Sequence, residues 1–423
     1  MTTWLRVRQV IDGTNRPPVD SVAVGIDGER IGEILPQSGH HARSDDTVYE
    51  ASDSVLIPGL VDSHVHLTFD HGIDHQVTRD RVERASLPSL ALLAARNAQT
   101  CIEAGITTVR DCGDRGLVTC AVRDAVAQGL LTGPRILAAG TPITTTAGHL
   151  HWCGCEADTA EEVRKAVRTL CKRGVDVIKV MASGGNMTTG SNPLLPQYSA
   201  DELREAVCEA HRLGRRLAAH SLNAESTRRA VTAGVDTIEH CLWREPTGMP
   251  EYDTGTIERM VSHQLWVGVT LAGIDRVLLP EAADSDADAE RNLSTLRQQH
   301  AHARRMREDG VKMMVSSDAG VRFTRFEDFY LSLLCAVRAL DMGPVEAIHR
   351  ATQIPAQAIG LGNEIGSIEP GKCADLVLVD GDPARNIGDV QKVKAVWQRG
   401  RLVVERGFMA PPSPIPLQIP TAS

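Results

Sequence analysis

Between residues 106 and 318 the sequence alternates short β-branched runs with longer amphipathic stretches. This alternation is typical of βα units, in which helices connect parallel strands. Four amphipathic stretches are followed by a glycine where a helix would end in the left-handed conformation: Gly174, Gly214, Gly234 and Gly310. With one run ahead of this region, the predicted strands are 60–66, 106–111, 135–139, 175–181, 216–220, 235–240, 265–271 and 312–318. Eight such units predict an α/β fold, the (β/α)8 TIM barrel.

Both ends of the chain carry short β-like runs broken by glycine and proline instead of helical patterns, and the predicted strands are 5–11, 21–26, 30–34, 374–379 and 393–404. Neither end has enough strands for a stable sheet of its own, so the two ends are expected to pair. We therefore predict a small β-sandwich domain from 1–58 and 360–409, and a barrel over 59–359. The Pro-rich tail, 410–423, is predicted to be extended or disordered.

Charge and hydropathy exclude several classes of function. The net charge is −9, with scattered Lys and Arg, which argues against a nucleic-acid partner. The sequence contains no run of 18 or more apolar residues and no apolar stretch after its first basic residues. We therefore predict neither a signal peptide nor a membrane partner, and a cytoplasmic location. The ten cysteines include no CxxC pair, which favours reduced thiols over a disulfide framework.

Five of the eight predicted strands end in side chains that can bind a metal ion. In the first strand, His64 and His66 are two residues apart, so both imidazoles face the same side. The other four of these strands carry Lys179, His220, His240 and Asp318 at or near their C-terminal ends. A TIM barrel places its chemistry at the C-terminal ends of its strands, and imidazole and carboxylate ligands suit zinc and similar ions. The pattern predicts a metal site at this mouth of the barrel.

Lys179 is the unusual member of this set, because an ammonium group would repel metal cations. A buried lysine that has lost its proton can add CO2 and become a carbamate, which has the charge of a carboxylate and could bridge two ions. The alternative is a lysine that forms an ion pair inside the barrel or contacts the substrate.

These motifs resemble those of the amidohydrolase superfamily. The resemblance rests on 58–66, Lys179, His220, His240, 317–320 and 366–377. Within the superfamily, 146–149 and 178–185 resemble the imidazolonepropionase-related branch, which includes Xaa-Pro dipeptidases, ochratoxin-type amidases, and molinate and phenylurea hydrolases. The resemblance implies a homo-oligomeric enzyme that hydrolyses an amide-like C–N bond in a small molecule, of the N-acyl amino acid, dipeptide, carbamate or urea type.

The resemblance also implies a role for each candidate ligand. It places two divalent ions in the site, zinc first, with cobalt and manganese as alternatives. His64, His66 and Asp318 would hold the more buried ion, His220 and His240 the outer ion, and carboxylated Lys179 would bridge them. A hydroxide between the ions would attack the substrate, with Asp318 acting as general base and then as general acid.

Four further residues are candidates for contact with the substrate. His149 could hydrogen-bond the scissile carbonyl or the oxyanion, and His151 lies in the same loop. Tyr198 precedes a predicted helix whose N-cap is Ser199, and Arg322 could bind a carboxylate. Each has a structural alternative: loop histidines, a packing tyrosine at the helix start, and a surface ion pair for the arginine.

Two other functions remain open at this point. A hydrolytic deaminase on the same barrel would use one metal ion and a glutamate near the strand-five histidine, and Lys179 argues against it. A scaffold protein without metal is disfavoured because all six ligand positions carry ligand-type residues.

Overall fold

The computed structural model describes residues 2–72, 74–248, 251–273, 286–405 and 408–409. Its strands are β1 (Thr3–Val10), β2 (Val19–Asp27), β3 (Arg30–Pro36), β4 (Thr47–Pro58), β5 (Leu60–Val65), β6 (Ile106–Asp111), β7 (Arg135–Ala138), β8 (Ile143–Thr144), β9 (Cys155–Glu156), β10 (Val177–Met181), β11 (Arg216–Asn223), β12 (Thr237–Arg244), β13 (Trp266–Val269), β14 (Lys312–Val315), β15 (Leu376–Val379), β16 (Val393–Gln398), β17 (Arg401–Glu405) and β18 (Phe408–Met409). Its α-helices are α1 (His75–Arg84), α2 (Leu87–Glu103), α3 (Val118–Ala127), α4 (Ala160–Lys172), α5 (Ala200–Arg212), α6 (Ala224–Ala233), α7 (Thr254–Ser262), α8 (Asp286–Glu308), α9 (Phe329–Leu340), α10 (Pro344–His349) and α11 (Gln353–Ala358).

The central feature is a barrel of eight parallel strands: β5, β6, β7, β10, β11, β12, β13 and β14. Backbone hydrogen bonds close it at the two gaps between its sheets. The amide of Asp318 donates to the carbonyl of His64 at 2.9 Å, and the amide of Asp176 donates to the carbonyl of Ala138 at 2.9 Å. The predicted α/β fold class, a TIM barrel, is confirmed.

The helix start predicted at Ser199 and the helix ends predicted at Gly174 and Gly214 are present in the structure. Ser199 is the N-cap of α5 and forms a capping box with Glu202. The backbones of Gly174 and Gly214, after α4 and α5, have φ values of +81° and +70°. Such left-handed positions suit glycine and end each helix cleanly before the next strand. Among the described helices, none is long and apolar enough to cross a membrane.

The two ends of the chain form one antiparallel-rich sheet beside the barrel, in the order β18-β17-β16-β15-β4-β1-β2-β3. A Cβ atom at Gly400 would lie 2.0 Å from the carbonyl oxygen of Gly28, so the turn between β16 and β17 packs against the turn between β2 and β3. Its enclosed core includes Leu5, Val24, Leu56, Leu376 and Trp397. The predicted small β domain built from both termini is therefore present.

Strand β4 connects this domain to the barrel. Leu56 packs in the small-domain core, whereas its neighbours Val55 and Ile57 pack in the barrel core, as expected from the alternation of side chains along a strand. The sequence analysis did not predict β4. It also predicted a single strand over 393–404, which the structure divides into β16 and β17 by a turn at Arg399 and Gly400 with φ values of +51° and +73°. The predicted tail, 410–423, lies outside the described residues.

Candidate active site

The C-terminal ends of the barrel strands surround a cavity of about 170 Å³. All six predicted metal ligands line it: His64, His66, Lys179, His220, His240 and Asp318. His149 and Arg322 line the same cavity. The structure thus brings together side chains that are separated by up to 258 residues in the sequence (322 minus 64).

His64 and His66 extend from β5 toward the same side. The Nε2 atoms of His64 and His66 lie 3.4 and 3.5 Å from the same carboxylate oxygen, Asp318 Oδ1. Lys179 Nζ lies 3.4 Å from His64 Nε2. His66 is oriented by the contact between its Nδ1 and the carbonyl of Gly113, at 3.0 Å, and by stacking on Phe69. Orientation of one ring nitrogen by a carbonyl is common among metal-binding histidines.

The imidazoles of His220 and His240 also line the cavity and lie next to each other. The ring centroid of His240 lies 4.9 Å from that of His64 and 4.8 Å from that of His220. His240 Nδ1 is 2.8 Å from Thr270 Oγ1, and His220 Nε2 is 3.2 Å from the carbonyl of Gly184. The histidines therefore form one continuous group.

Burial keeps these imidazoles neutral. It lowers the pKa of His66 and of His149 to about 3, and it lowers the pKa values of His64, His220 and His240 well below 6.5. The charge of Lys179 lowers them further. A histidine must be deprotonated to bind a metal ion, so the site is prepared for metal near neutral pH.

Asp318 follows β14 in the left-handed conformation, with φ +63°. Burial, together with the charges of Asp62 and Glu239, raises the pKa of Asp318 to about 8 in the metal-free chain, although Lys179 opposes the rise. Its Oδ1 atom is buried without a hydrogen-bond partner. A nearby cation would supply the missing partner and favour the ionised carboxylate.

The residues present fit a divalent ion. Ligand atoms of His64, His240 and Asp318 lie within 4.8 Å of one another, and the orphaned Asp318 oxygen faces this group. Nitrogen and oxygen donors in this combination suit zinc and similar ions.

The sequence analysis missed a buried ion pair behind the cavity. Arg110 Nη2 lies 2.5 Å from Glu239 Oε1, and Glu239 Oε2 lies 3.1 Å from His64 Nδ1. Arg110 lies on barrel strand β6 and Glu239 on barrel strand β12. Each is a charged residue within an otherwise largely apolar strand, and this pattern could have indicated the ion pair from the sequence. Side chains alternate along a strand, so Glu239 and His240 would normally face opposite ways. The left-handed φ of His240, +68°, breaks that alternation and brings both residues inward.

We expect Glu239→Gln to lower both the free energy of unfolding and the affinity for metal. The first effect should be about 3 to 5 kcal/mol, because Arg110 would be left buried without its carboxylate partner. The second should be about 10- to 100-fold, since Glu239 also contacts His64. Chemical denaturation and metal titration measure the two effects. As a control, Glu364→Gln removes one partner of a surface pair in which both Glu364 and Arg30 are more than half exposed, so it should cost about 1 kcal/mol or less and leave metal affinity unchanged. Equal behaviour of the two variants would contradict this role.

The structure does not bring every substrate-contact candidate into the cavity. His149 lies there, with its ring centroid 4.7 Å from that of His220, and Gly185 leaves room for it because a Cβ atom there would approach the imidazole to 2.4 Å. Tyr198 lies outside the cavity lining, buried and donating its hydroxyl to the carbonyl of Ala157 at 2.7 Å. His151 is also outside, 4.0 Å from Glu156.

Comparison with known proteins identifies relatives that match most of the chain. Residues 55–403 match the Amidohydrolase family. An ochratoxinase from Aspergillus niger is 29% identical over 377 residues, covering 82% of this chain and 75% of the relative. An imidazolonepropionase from Shouchella clausii is 27% identical over 404 residues, covering 85% and 79%. A Xaa-Pro dipeptidase structure with bound methionine in its active site superposes with a TM-score of 0.84 at 30% identity, covering 95% of this chain and 99% of that one.

These relatives confirm the branch that the motifs resembled. The family match spans most of the 423 residues and includes both the barrel strands and the cavity described above. The chain therefore belongs to the amidohydrolase family, as a hydrolase of amide-type C–N bonds.

Proposed function

We propose that this hydrolase cleaves the amide-type bond of a small N-acyl amino acid, dipeptide, carbamate or urea, using two divalent ions and Asp318 as the proton carrier. The observation that carries the proposal is the donor set at the barrel mouth: neutral imidazoles, one buried lysine and one carboxylate with an orphaned oxygen. The names of two relatives, an ochratoxinase and a Xaa-Pro dipeptidase, support this range of substrates.

In this proposal the six ligands divide into two groups. One ion would be held by His64, His66 and Asp318, the other by His220 and His240, with carboxylated Lys179 between them. Zinc suits these donors, and cobalt or manganese could replace it. Ions bound here would supply Lewis acidity and an activated water near neutral pH. Carboxylation would also remove the positive charge of Lys179, which lies 3.4 Å from His64.

The side chains of this protein would move the proton and orient the substrate. Asp318 would accept a proton from the attacking water and return it to the leaving nitrogen. His149 is neutral, and its Nδ1 atom has no hydrogen-bond partner, so its ring could donate a hydrogen bond to the scissile carbonyl oxygen.

Metal content and activity test this function together. We expect about two ions per chain in protein purified without chelator, measured by elemental analysis. Hydrolysis of N-acyl amino acids, Xaa-Pro dipeptides or aryl carbamates should stop when metal is removed and return when zinc, cobalt or manganese is added. His220→Asn should reduce the metal content, whereas His349→Asn, which alters a histidine that contacts the carbonyl of Gly13 outside the cavity, should not.

Other results would contradict the proposal in different ways. About one ion per chain would favour a mononuclear hydrolase or a deaminase. No metal and no activity on any substrate would favour a scaffold.

A further inference from the structure

The cavity is lined by an arginine side chain, Arg244, that has no role in the proposed chemistry. Arg244 lies at the end of β12 and lines the cavity. Its Nε atom donates to the carbonyl of Leu222 at 3.4 Å, whereas its Nη2 atom is buried without a hydrogen-bond partner. The backbone therefore binds one side of this guanidinium group, whereas the Nη2 atom on the other side lacks a hydrogen-bond acceptor.

No carboxylate compensates the charge of Arg244 within the described ranges. The adjacent acid, Glu245, is directed to Arg228 at 3.6 Å. Two other arginines with little exposure do have carboxylate partners: Arg110 pairs with Glu239 at 2.5 Å, and Arg135 pairs with Asp375 at 2.7 Å.

The pKa values follow this difference. Desolvation disfavours the charged form of all three arginines, but the carboxylate partners of Arg110 and Arg135 raise the pKa values of those two. For Arg244, burial acts alone and lowers the pKa. A desolvated charge without a partner costs free energy, and an anionic ligand would offset that cost.

We infer that Arg244 binds a carboxylate group of the substrate, and that the substrate is therefore an N-acyl amino acid or dipeptide with a free carboxylate and not a neutral carbamate or urea. This inference rests on the proposed function and narrows it. Planar guanidinium groups match carboxylates through two parallel hydrogen bonds, which gives both affinity and orientation.

The rest of the cavity supports an apolar substituent beside that carboxylate. Aliphatic or thioether side chains line it: Leu150, Met181, Met187, Leu222, Leu242 and Val321. A leucine-like side chain would be compatible with this lining.

Arg322 provides an internal comparison, because it is the other arginine of the cavity lining among the described residues. It lies in the loop after β14, close to His75, whose pKa is lowered to about 4 by burial and then by the charge of Arg322. Arg244 lies instead beside the ends of β11 and β12. The Nε atom of Arg322 is also buried without a hydrogen-bond partner, but its guanidinium carbon lies 4.6 Å from the ring centroid of Phe323. We assign the carboxylate to Arg244 because no aromatic ring stacks on its guanidinium in the part of the chain that the structure describes.

The test compares matched acids and amides. N-acetyl-L-leucine and N-acetyl-L-leucinamide share the same acyl bond and side chain but differ in the carboxylate. We expect Arg244→Met to lower kcat/KM for the acid by roughly 10- to 100-fold, as for loss of a charged hydrogen bond, with little change for the amide. Arg244→Lys should recover only part of the loss. Arg322→Met should change the acid-to-amide ratio less, and Arg164→Met, on the exposed helix α4, should not change it.

A binding measurement separates failure of this inference from failure of the proposed function. Calorimetry with 4-methylpentanoate and 4-methylpentanamide, which lack the N-acetyl bond, measures binding and does not depend on hydrolysis of that bond. If the wild type binds the acid more tightly than the amide and Arg244→Met does not, the inference is supported, even if neither acetyl compound is hydrolysed. Absence of hydrolysis would count against the proposed function alone. An acid-to-amide ratio that is equal in wild type and Arg244→Met, in either measurement, would overturn the inference.

Discussion

Replacement of Asp318 by asparagine is expected to lower kcat by roughly two to four orders of magnitude, the usual contribution of a positioned general acid and base. Asparagine keeps the shape of the side chain and one oxygen, but it cannot accept a proton and return it to the leaving nitrogen. The fold should survive, because the backbone amide of Asp318, and not its side chain, forms the hydrogen bond to the carbonyl of His64. Steady-state kinetics, with metal content and thermal unfolding measured on the same sample, checks this result.

Asp375→Asn is the matched control for this variant. Asp375 is also buried, but it pairs with Arg135 and does not line the cavity. Its replacement should lower stability without a comparable loss of kcat per folded chain. A near-normal kcat in Asp318→Asn would rule out Asp318 as the proton carrier.

Alanine at position 179 is expected to remove metal and nearly all hydrolysis, because Lys179 is proposed to bridge the two ions as a carbamate. The Lys179 side chain is buried, and its Nζ atom lies 3.4 Å from His64 Nε2. Among the described residues no other lysine lines the cavity, so none could replace it. Added propionate should restore part of the metal content and activity, since a small carboxylate can occupy the space left by the carbamate. Elemental analysis and kinetics with and without propionate measure both effects.

Lys394→Ala separates this role from that of an ordinary buried lysine. Lys394 is also buried, but it lies in the small β domain and pairs with Asp53 at 3.1 Å. We expect its loss to affect stability alone, with no response of activity to propionate. Full activity and metal content in Lys179→Ala would exclude the bridge.

The position of Asp318 depends on a second layer of polar side chains beneath the cavity. Asp62 accepts hydrogen bonds from the amide, at 3.1 Å, and the hydroxyl of Ser317, which precedes Asp318. Burial raises the pKa of Asp62 to about 7, with the Ser317 hydrogen bonds opposing the rise. This contact joins the first and last barrel strands, so it fixes the two strand ends that carry His64 and Asp318.

The order of the barrel strands could be predicted from the sequence, and so could the six candidate ligands that the structure brings to one cavity. Repeated helix, glycine and strand patterns identify βα units because they are local, and parallel strands of a barrel must present their C-terminal ends at one mouth. His64 and His66 were evident because spacing by two along a strand fixes the face of both side chains. The cytoplasmic location and the homo-oligomer stay predictions.

The tertiary structure decided what local patterns cannot encode. Glu239 and His240 both face inward only because φ at His240 is positive, and the pairing of Arg110 with Glu239 joins strands that are distant in sequence. Tyr198 and His151 lie in segments that follow predicted barrel strands, so the sequence suggested that both could reach the cavity. In the structure neither lines it, and the Tyr198 hydroxyl donates to the carbonyl of Ala157 instead. The sequence analysis did not identify Arg244 as a binding residue, because a charge without a partner is recognised only when the groups around it in space are known. The sequence by itself determined which residues could carry the chemistry, and the fold decided which of them meet, because contact between distant segments depends on how the whole barrel closes.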